Sequence, residues 1–252
     1  MVHGVYLSKN QSPDTPEETE RMSRIPYASA VGSIMYAMMC TRPDVAYSLS
    51  MTSRYQKNPG ESHWMAVKNI LKYLRRTKDW FLVYGGSTEL CAKGYTDASF
   101  QTDRDDSKSQ SGFVFTLNGA AVSWKSSKQT VTADSTTESE YIAASEAAKE
   151  AIWMRQFLQG LTVVPSSNDP ITLLCDNSGA IFQAKEPKSS NKSRHVLRKA
   201  HMIRDYVEQK EIELCKVGTD DNISDPLTKA MPHSKHEGHI VAMGLKRVPD
   251  FQ

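Results

Sequence analysis

No stretch of the sequence approaches the roughly twenty consecutive apolar residues that a membrane-spanning helix needs, so no membrane partner is expected. Cysteine is scarce and unpaired in pattern. Cys40, Cys91, Cys175 and Cys215 form no C-x-x-C pair and match no zinc-site spacing. They read as buried free thiols of a reducing compartment. Met1–Pro13 lacks an apolar core of the kind a secretory leader carries, and the expected location is cytoplasmic or nuclear. Charge of one sign is also missing: 31 Lys and Arg stand against 29 Asp and Glu, a net +2. Charge alone therefore does not announce a nucleic-acid binder. Repeats and low-complexity tracts are absent. With 39% hydrophobic and 24% charged residues, the composition is globular.

The charge that is present is uneven. Residues 1–88 hold 11 Lys and Arg against 7 Asp and Glu, while the remainder is slightly acidic. Tyr27–Thr41 (YASAVGSIMYAMMCT) reads as a buried helix and Val45–Tyr55 as a second, separated by Arg42-Pro43-Asp44. Glu61–Lys78 places Trp64, Val67, Leu71 and Leu74 at helical spacing, with Lys and Arg on the other side. From residue 89 the pattern changes. Leu90–Ser99 reads as a strand. Gly112–Leu117 and Ala120–Trp124 flank Asn118-Gly119, a strong hairpin signal. Ser135–Gly160 reads as a long helix, Ile171–Cys175 as a strand and Lys192–Gln209 as a basic helix. Ile212–Val217 reads as a strand and Asn222–Ala230 as a short helix. The expected class is α/β, a mixed five-stranded sheet flanked by helices and preceded by a mainly helical segment. The expected units are 1–88, 89–232 and a C-terminal tail, 233–252.

Four acids share a telling placement. Asp97, Asp176 and Asp225 lie at strand ends or helix openings, where α/β sheets gather their ligands. Glu140 lies on the long helix that must cross the sheet. Taken singly, such an Asp reads as a cap or turn residue. Together they would repel unless they protonate or bind cations, and hard oxygen donors suit two Mg²⁺ or Mn²⁺ ions. Such a pair can bridge a phosphate and activate water without a side-chain nucleophile. Helical phase selects Glu140 over Glu138. Residues two apart differ by about 200° in direction. The face of Glu140 continues through Ala143, Ala144, Ala147, Ala151, Met154 and Leu158, whereas that of Glu138 is mixed.

Those residues, in that order, resemble the ribonuclease H region of Ty1/copia-type retrotransposon polyproteins. The resemblance is carried by Gly94–Ser99 (GYTDAS), Val122–Lys125 (VSWK), Asp134–Ala144 (DSTTESEYIAA), Leu174–Ile181 (LCDNSGAI) and Lys216–Lys229 (KVGTDDNISDPLTK). It implies a ribonuclease H-like fold and a two-metal nuclease with Asp97, Glu140, Asp176 and Asp225 as catalytic metal ligands. The implied partner is an RNA–DNA hybrid. Tyr27–Tyr36, Thr41–Tyr47 and His63–Thr77 resemble the thumb or connection segment of a reverse transcriptase. Upstream reverse-transcriptase domains are accordingly a further implied partner. One departure is that the loop Gly218–Asn222 has no His, although His195 and His201 lie on the preceding basic helix.

For substrate handling, Lys192, Arg194, Arg198, Lys199 and His201 are the candidate phosphate-facing residues. Ser99, Asn177 and Ser178, beside the acids, are candidate readers of the RNA 2′-hydroxyl, with turn formation as the alternative. Two other functions remain open at this level. One is a silent or domesticated fragment retained for binding nucleic acid or protein; the other is a related nuclease acting on DNA.

Overall fold

A computed structural model of the chain describes residues 4–85, 90–162, 164–185 and 202–247. The helical segment comprises α1 (Pro16–Ser23), α2 (Tyr27–Thr41), α3 (Ala46–Ser53) and α4 (Glu61–Arg76), followed by the short strand β1 (Trp80–Leu82). Then come β2 (Lys93–Ser99), β3 (Gln110–Leu117), β4 (Ala120–Lys128), α5 (Thr136–Leu161), β5 (Ile171–Cys175) and α6 (Ser178–Lys185). Residues 202–208 are helical (α7). The chain continues through β6 (Ile212–Lys216), α8 (His233–Ala242) and β7 (Leu245–Arg247).

The main sheet has the order β4-β3-β2-β5-β6. The β2–β3 and β3–β4 pairs are antiparallel, and the β2–β5 and β5–β6 pairs are parallel. Asn118 and Gly119, at φ 52° and 84°, turn β3 into β4, as the Asn-Gly pair predicts. Strand alternation divides β3 between two cores. Phe113 and Phe115 join Tyr141, Ala144, Ala147, Ala148 and Ala151 of α5 on one face. Val114 faces the other way, toward Ala46, Leu227, Ile240, Met243 and Leu245. Helices therefore cover both faces. The N-terminal helices also have a core of their own, built on Tyr27, Val31, Ile34, Leu49, Val67 and Ile70. They are tied to the sheet where Trp124 Nε1 donates to the Met38 carbonyl at 3.1 Å.

Several expectations are corrected. The segment after 232 is not a tail: α8 packs on the second core, and β7 pairs antiparallel with β1. Polar α8 and a three-residue strand leave no periodic signal to read. Asn222–Ala230 is not an α-helix but holds one 3₁₀ turn, Asp225–Leu227, with a second, Thr219–Asp221, just before it. Side-chain bonds from Asn222 and Thr228 pin this stretch to the sheet. Helix α2 buries only one side, and Tyr36 and Met39 are exposed. On α4 the buried stripe is His63, Ala66, Val67 and Ile70, with Leu71 exposed. The four cysteines are free, but only Cys175 is buried.

Gly112 on β3 pairs with Asp97 on β2. A Cβ at Gly112 would meet Leu227 Cβ and Thr228 Cγ2 at 2.8 Å each. The missing side chain lets the Asp225–Leu227 turn lie against the strand. Gly112→Ala should push this turn off the sheet and destabilise the protein by about 1–3 kcal/mol, read by denaturant unfolding.

Candidate metal centre

The parallel register of β2 and β5 builds the site. Thr96 pairs with Cys175, so the next residues along the two strands are Asp97 and Asp176. Asp97 is thus inside β2, two residues before its end. The second turn of α5 lies beside them and supplies Glu140, while the pinned 3₁₀ turn supplies Asp225. Carboxylate oxygens of Asp97, Asp176 and Asp225 lie within 4.8 Å of one another. A second group, Glu140, Cys175 and Asp176, meets the same limit. The four acids named from the sequence are therefore brought together, from four different elements.

Three of the four are buried and Asp176 is half-buried. Asp97, Glu140 and Asp225 are 2%, 7% and 4% exposed. Burial, reinforced by Asp97 and Asp176, pushes the Glu140 carboxyl up to about 9. Burial also raises Asp97, to about 7, with Lys229 pulling it back and Asp225 adding to the rise. Glu140 Oε2 is buried with no hydrogen-bond partner. Such an atom is costly to leave unsatisfied, and a bound cation would satisfy it. Four hard oxygen donors and an orphaned carboxylate oxygen fit Mg²⁺ or Mn²⁺. Cys175 fits less well, since burial first, then Glu140, pushes its thiol up to about 12 and keeps it neutral.

The neighbouring side chains explain the placement. Ser135 caps α5, accepting from the Glu138 N–H at 3.1 Å, and Glu138 Oε2 accepts from the Asp134 N–H at 2.8 Å. Glu138 is thus occupied at the helix start, as its phase predicts. Its face, mixed in sequence, is nonetheless buried at Tyr141, Ile142 and Ser145.

Three residues that the sequence reading did not single out complete the centre. Thr228 donates its hydroxyl to Asp97 Oδ2. Asn222 Nδ2 donates to the Thr96 carbonyl at 3.0 Å, anchoring the Asp225 turn to β2. Lys229 Nζ lies 2.9 Å from Asp225 Oδ1 and 3.9 Å from Asp97 Oδ2. Burial disfavours its charge, but Asp97 and Asp225 outweigh burial and raise the ammonium above its ordinary value. The four-residue spacing of Asp225 and Lys229 was the available signal for this pair.

Of the candidate substrate contacts, Ser99 is half-buried at the end of β2 and Ser178 is exposed at the start of α6. Asn177 Oδ1 accepts from the Ala180 N–H at 2.9 Å, just before α6. Lys192, Arg194, His195, Arg198, Lys199 and His201 lie outside the described residues.

A central strand flanked by an antiparallel hairpin on one side and two parallel strands on the other, with carboxylates gathered where β2 and β5 end, is the ribonuclease H-like fold. No model of a protein family matches the chain. A retrovirus-related Pol polyprotein from transposon TNT 1-94 of Nicotiana tabacum is 45% identical over 231 residues, 92% of this chain and 17% of that protein. Secreted RxLR effector protein 161 of Plasmopara viticola is 44% identical over 133 residues, 53% of this chain and 94% of that protein. Among solved structures, an N-terminal RNase H domain from Mycobacterium tuberculosis, fused to maltose binding protein, aligns with 61% of this chain and 99% of its own. The TM-score is 0.41 and the identity 11%. Over most of its length the chain is similar to Ty1/copia-type retrotransposon Pol polyproteins. It spans about a sixth of the length of the Pol relatives, at 17% and 16%.

Proposed function

We propose that this chain is a divalent-metal-dependent nuclease that hydrolyses the RNA strand of RNA–DNA hybrids, as the C-terminal piece of a retrotransposon reverse transcriptase. The observation that carries the reading is the convergence of Asp97, Glu140, Asp176 and Asp225, three of them buried, with Glu140 Oε2 and Asp225 Oδ1 lacking hydrogen-bond partners. These four side chains would hold two Mg²⁺ or Mn²⁺ ions, which supply a lowered water pKa and offset charge on the leaving oxygen. The protein's own contribution is positioning. Thr228 holds one oxygen of Asp97, and Asn222 holds the Asp225 turn against β2. The Ala143–Ala151 seam lets α5 approach the sheet closely enough to seat Glu140.

Substrate would be bound chiefly through its phosphates, by Lys192, Arg194, Arg198, Lys199 and His201. Ser99 and Ser178, and the side-chain amide of Asn177, are the proposed contacts to the RNA 2′-hydroxyl. The test is cleavage of a labelled RNA–DNA hybrid beside matched DNA and RNA duplexes, with and without EDTA. Cleavage confined to the RNA of the hybrid and abolished by EDTA supports the reading. EDTA-resistant cleavage or cutting of duplex DNA overturns it. Binding without cleavage in Mg²⁺ or Mn²⁺ would favour a silent binding fragment.

A further inference from the structure

We propose that Lys229 is a resident counter-cation of the Asp97–Asp225 half of the centre, which the second divalent ion must displace, so that the two halves load in order. The inference rests on the reading that the four acids hold divalent cations.

The two halves of the centre differ. In one, the Lys229 ammonium already pairs with Asp225 at 2.9 Å and approaches Asp97 at 3.9 Å. In the other, no cation among the described residues forms an ion pair with Glu140, whose Oε2, like Asp225 Oδ1, is buried without a hydrogen-bond partner. A divalent ion entering beside Glu140 and Asp176 satisfies an orphaned oxygen and displaces nothing. An ion entering between Asp97 and Asp225 meets an ammonium that offers three donors and no lone pair. Cation and ammonium repel at this range, so one of them must leave.

Lys229 can leave. Its side chain is 40% exposed, whereas that of Asp97 is 2% exposed. Beside it opens a cavity of about 360 Å³, lined by Asp44, Tyr73, Pro226, Lys229 and His236 among others. The backbone keeps the lysine one turn after Asp225, since the Lys229 N–H donates to the Asp225 carbonyl at 3.2 Å. The withdrawn ammonium therefore stays nearby and can return when the ion leaves. Until then it neutralises acids that would otherwise repel one another.

The experiment is a titration of the full chain with Mn²⁺, counting free ion by electron paramagnetic resonance. The wild type should bind in two steps, the weaker of which Asp97→Asn removes. Lys229→Met should tighten the weaker step on the order of tenfold, and leave the tighter step within about twofold. Lys229→Arg, which keeps the charge, should stay near wild type. A weaker step that is unchanged or loosened in Lys229→Met overturns the proposal and leaves the metal reading standing. Absence of any Mn²⁺ binding sensitive to Asp97→Asn overturns both. A second measurement needs no variant: the amine of wild-type Lys229 should become several-fold more reactive toward an acylating reagent when Mn²⁺ saturates. Unchanged reactivity also overturns displacement.

Discussion

Glu140→Gln should lower Mg²⁺-dependent cleavage of a hybrid on the order of a thousandfold, while Glu138→Gln stays within a few-fold of wild type. The two residues are two positions apart on one helix, so their side chains leave it about 200° apart. Glu140 meets Cys175 and Asp176, and its second oxygen has no partner. Glu138 is taken up at the helix start by the Asp134 N–H. In Glu140→Gln the new amide would fill nearly the same volume as the carboxylate but carry no charge for a cation. Glu138→Gln would keep an oxygen for the Asp134 N–H and lose only its interaction with the helix dipole, about 0.3–1 kcal/mol. Steady-state rates of the two variants, measured alongside Mn²⁺ affinity, check the assignment. Loss of activity in Glu138→Gln with retention in Glu140→Gln would reject it.

Without divalent ions, the protein should become less stable as pH rises from about 4.5 toward about 9, and Glu140→Gln should flatten that loss. The sign follows from burial, which raises the folded carboxyl from 4.5 to about 9. In that window the folded chain keeps a proton that the unfolded chain has released. The associated stability is complete below about 4.5 and is lost as pH climbs through the folded value. Asp97 contributes the same trend over a narrower window, from 3.8 to about 7, because Lys229 pulls it back. At pH 8 the Glu140→Gln variant should melt about 3 °C or more above the wild type in EDTA. In saturating Mn²⁺ the order should reverse, since the wild type gains a ligand that its variant lacks. Thermal unfolding in the two buffers reads both effects. Parallel pH curves for the two proteins would reject the buried-carboxyl account.

Much of the site was legible because it depends on local periodicity. The spacing of Ala143, Ala144, Ala147, Ala151, Met154 and Leu158 marks a face of α5 that is buried along its length, although near the helix start the face of Glu138 is buried too. That face points Glu140 inward without reference to any other element. Asn118-Gly119 specifies its own turn through positive φ. The run Ile171–Cys175 ends at Asp176 because apolar strand residues stop there. Beta alternation then predicts which side chains of β3 part to the two faces.

Tertiary structure decided what periodicity cannot encode. Asp97 and Asp176 meet because β2 and β5 pair in parallel with Thr96 beside Cys175. A one-residue slip in that register would have turned one of the two carboxylates to the opposite face. Thr228 reaches Asp97 across 131 positions of sequence, through a turn that lies close only because Gly112 has no side chain. The return of 233–247 to β1, and the exposure of Tyr36 and Met39 on an apolar helix, likewise depend on what packs where. The sequence by itself determined the strands of the main sheet, the long helix and the acids near their ends, because helix and strand periods are properties of neighbouring residues. Only the assembled fold decided that an ammonium stands among those acids, because that position follows from long-range pairing and from the space left when the sheet closes on the last turn.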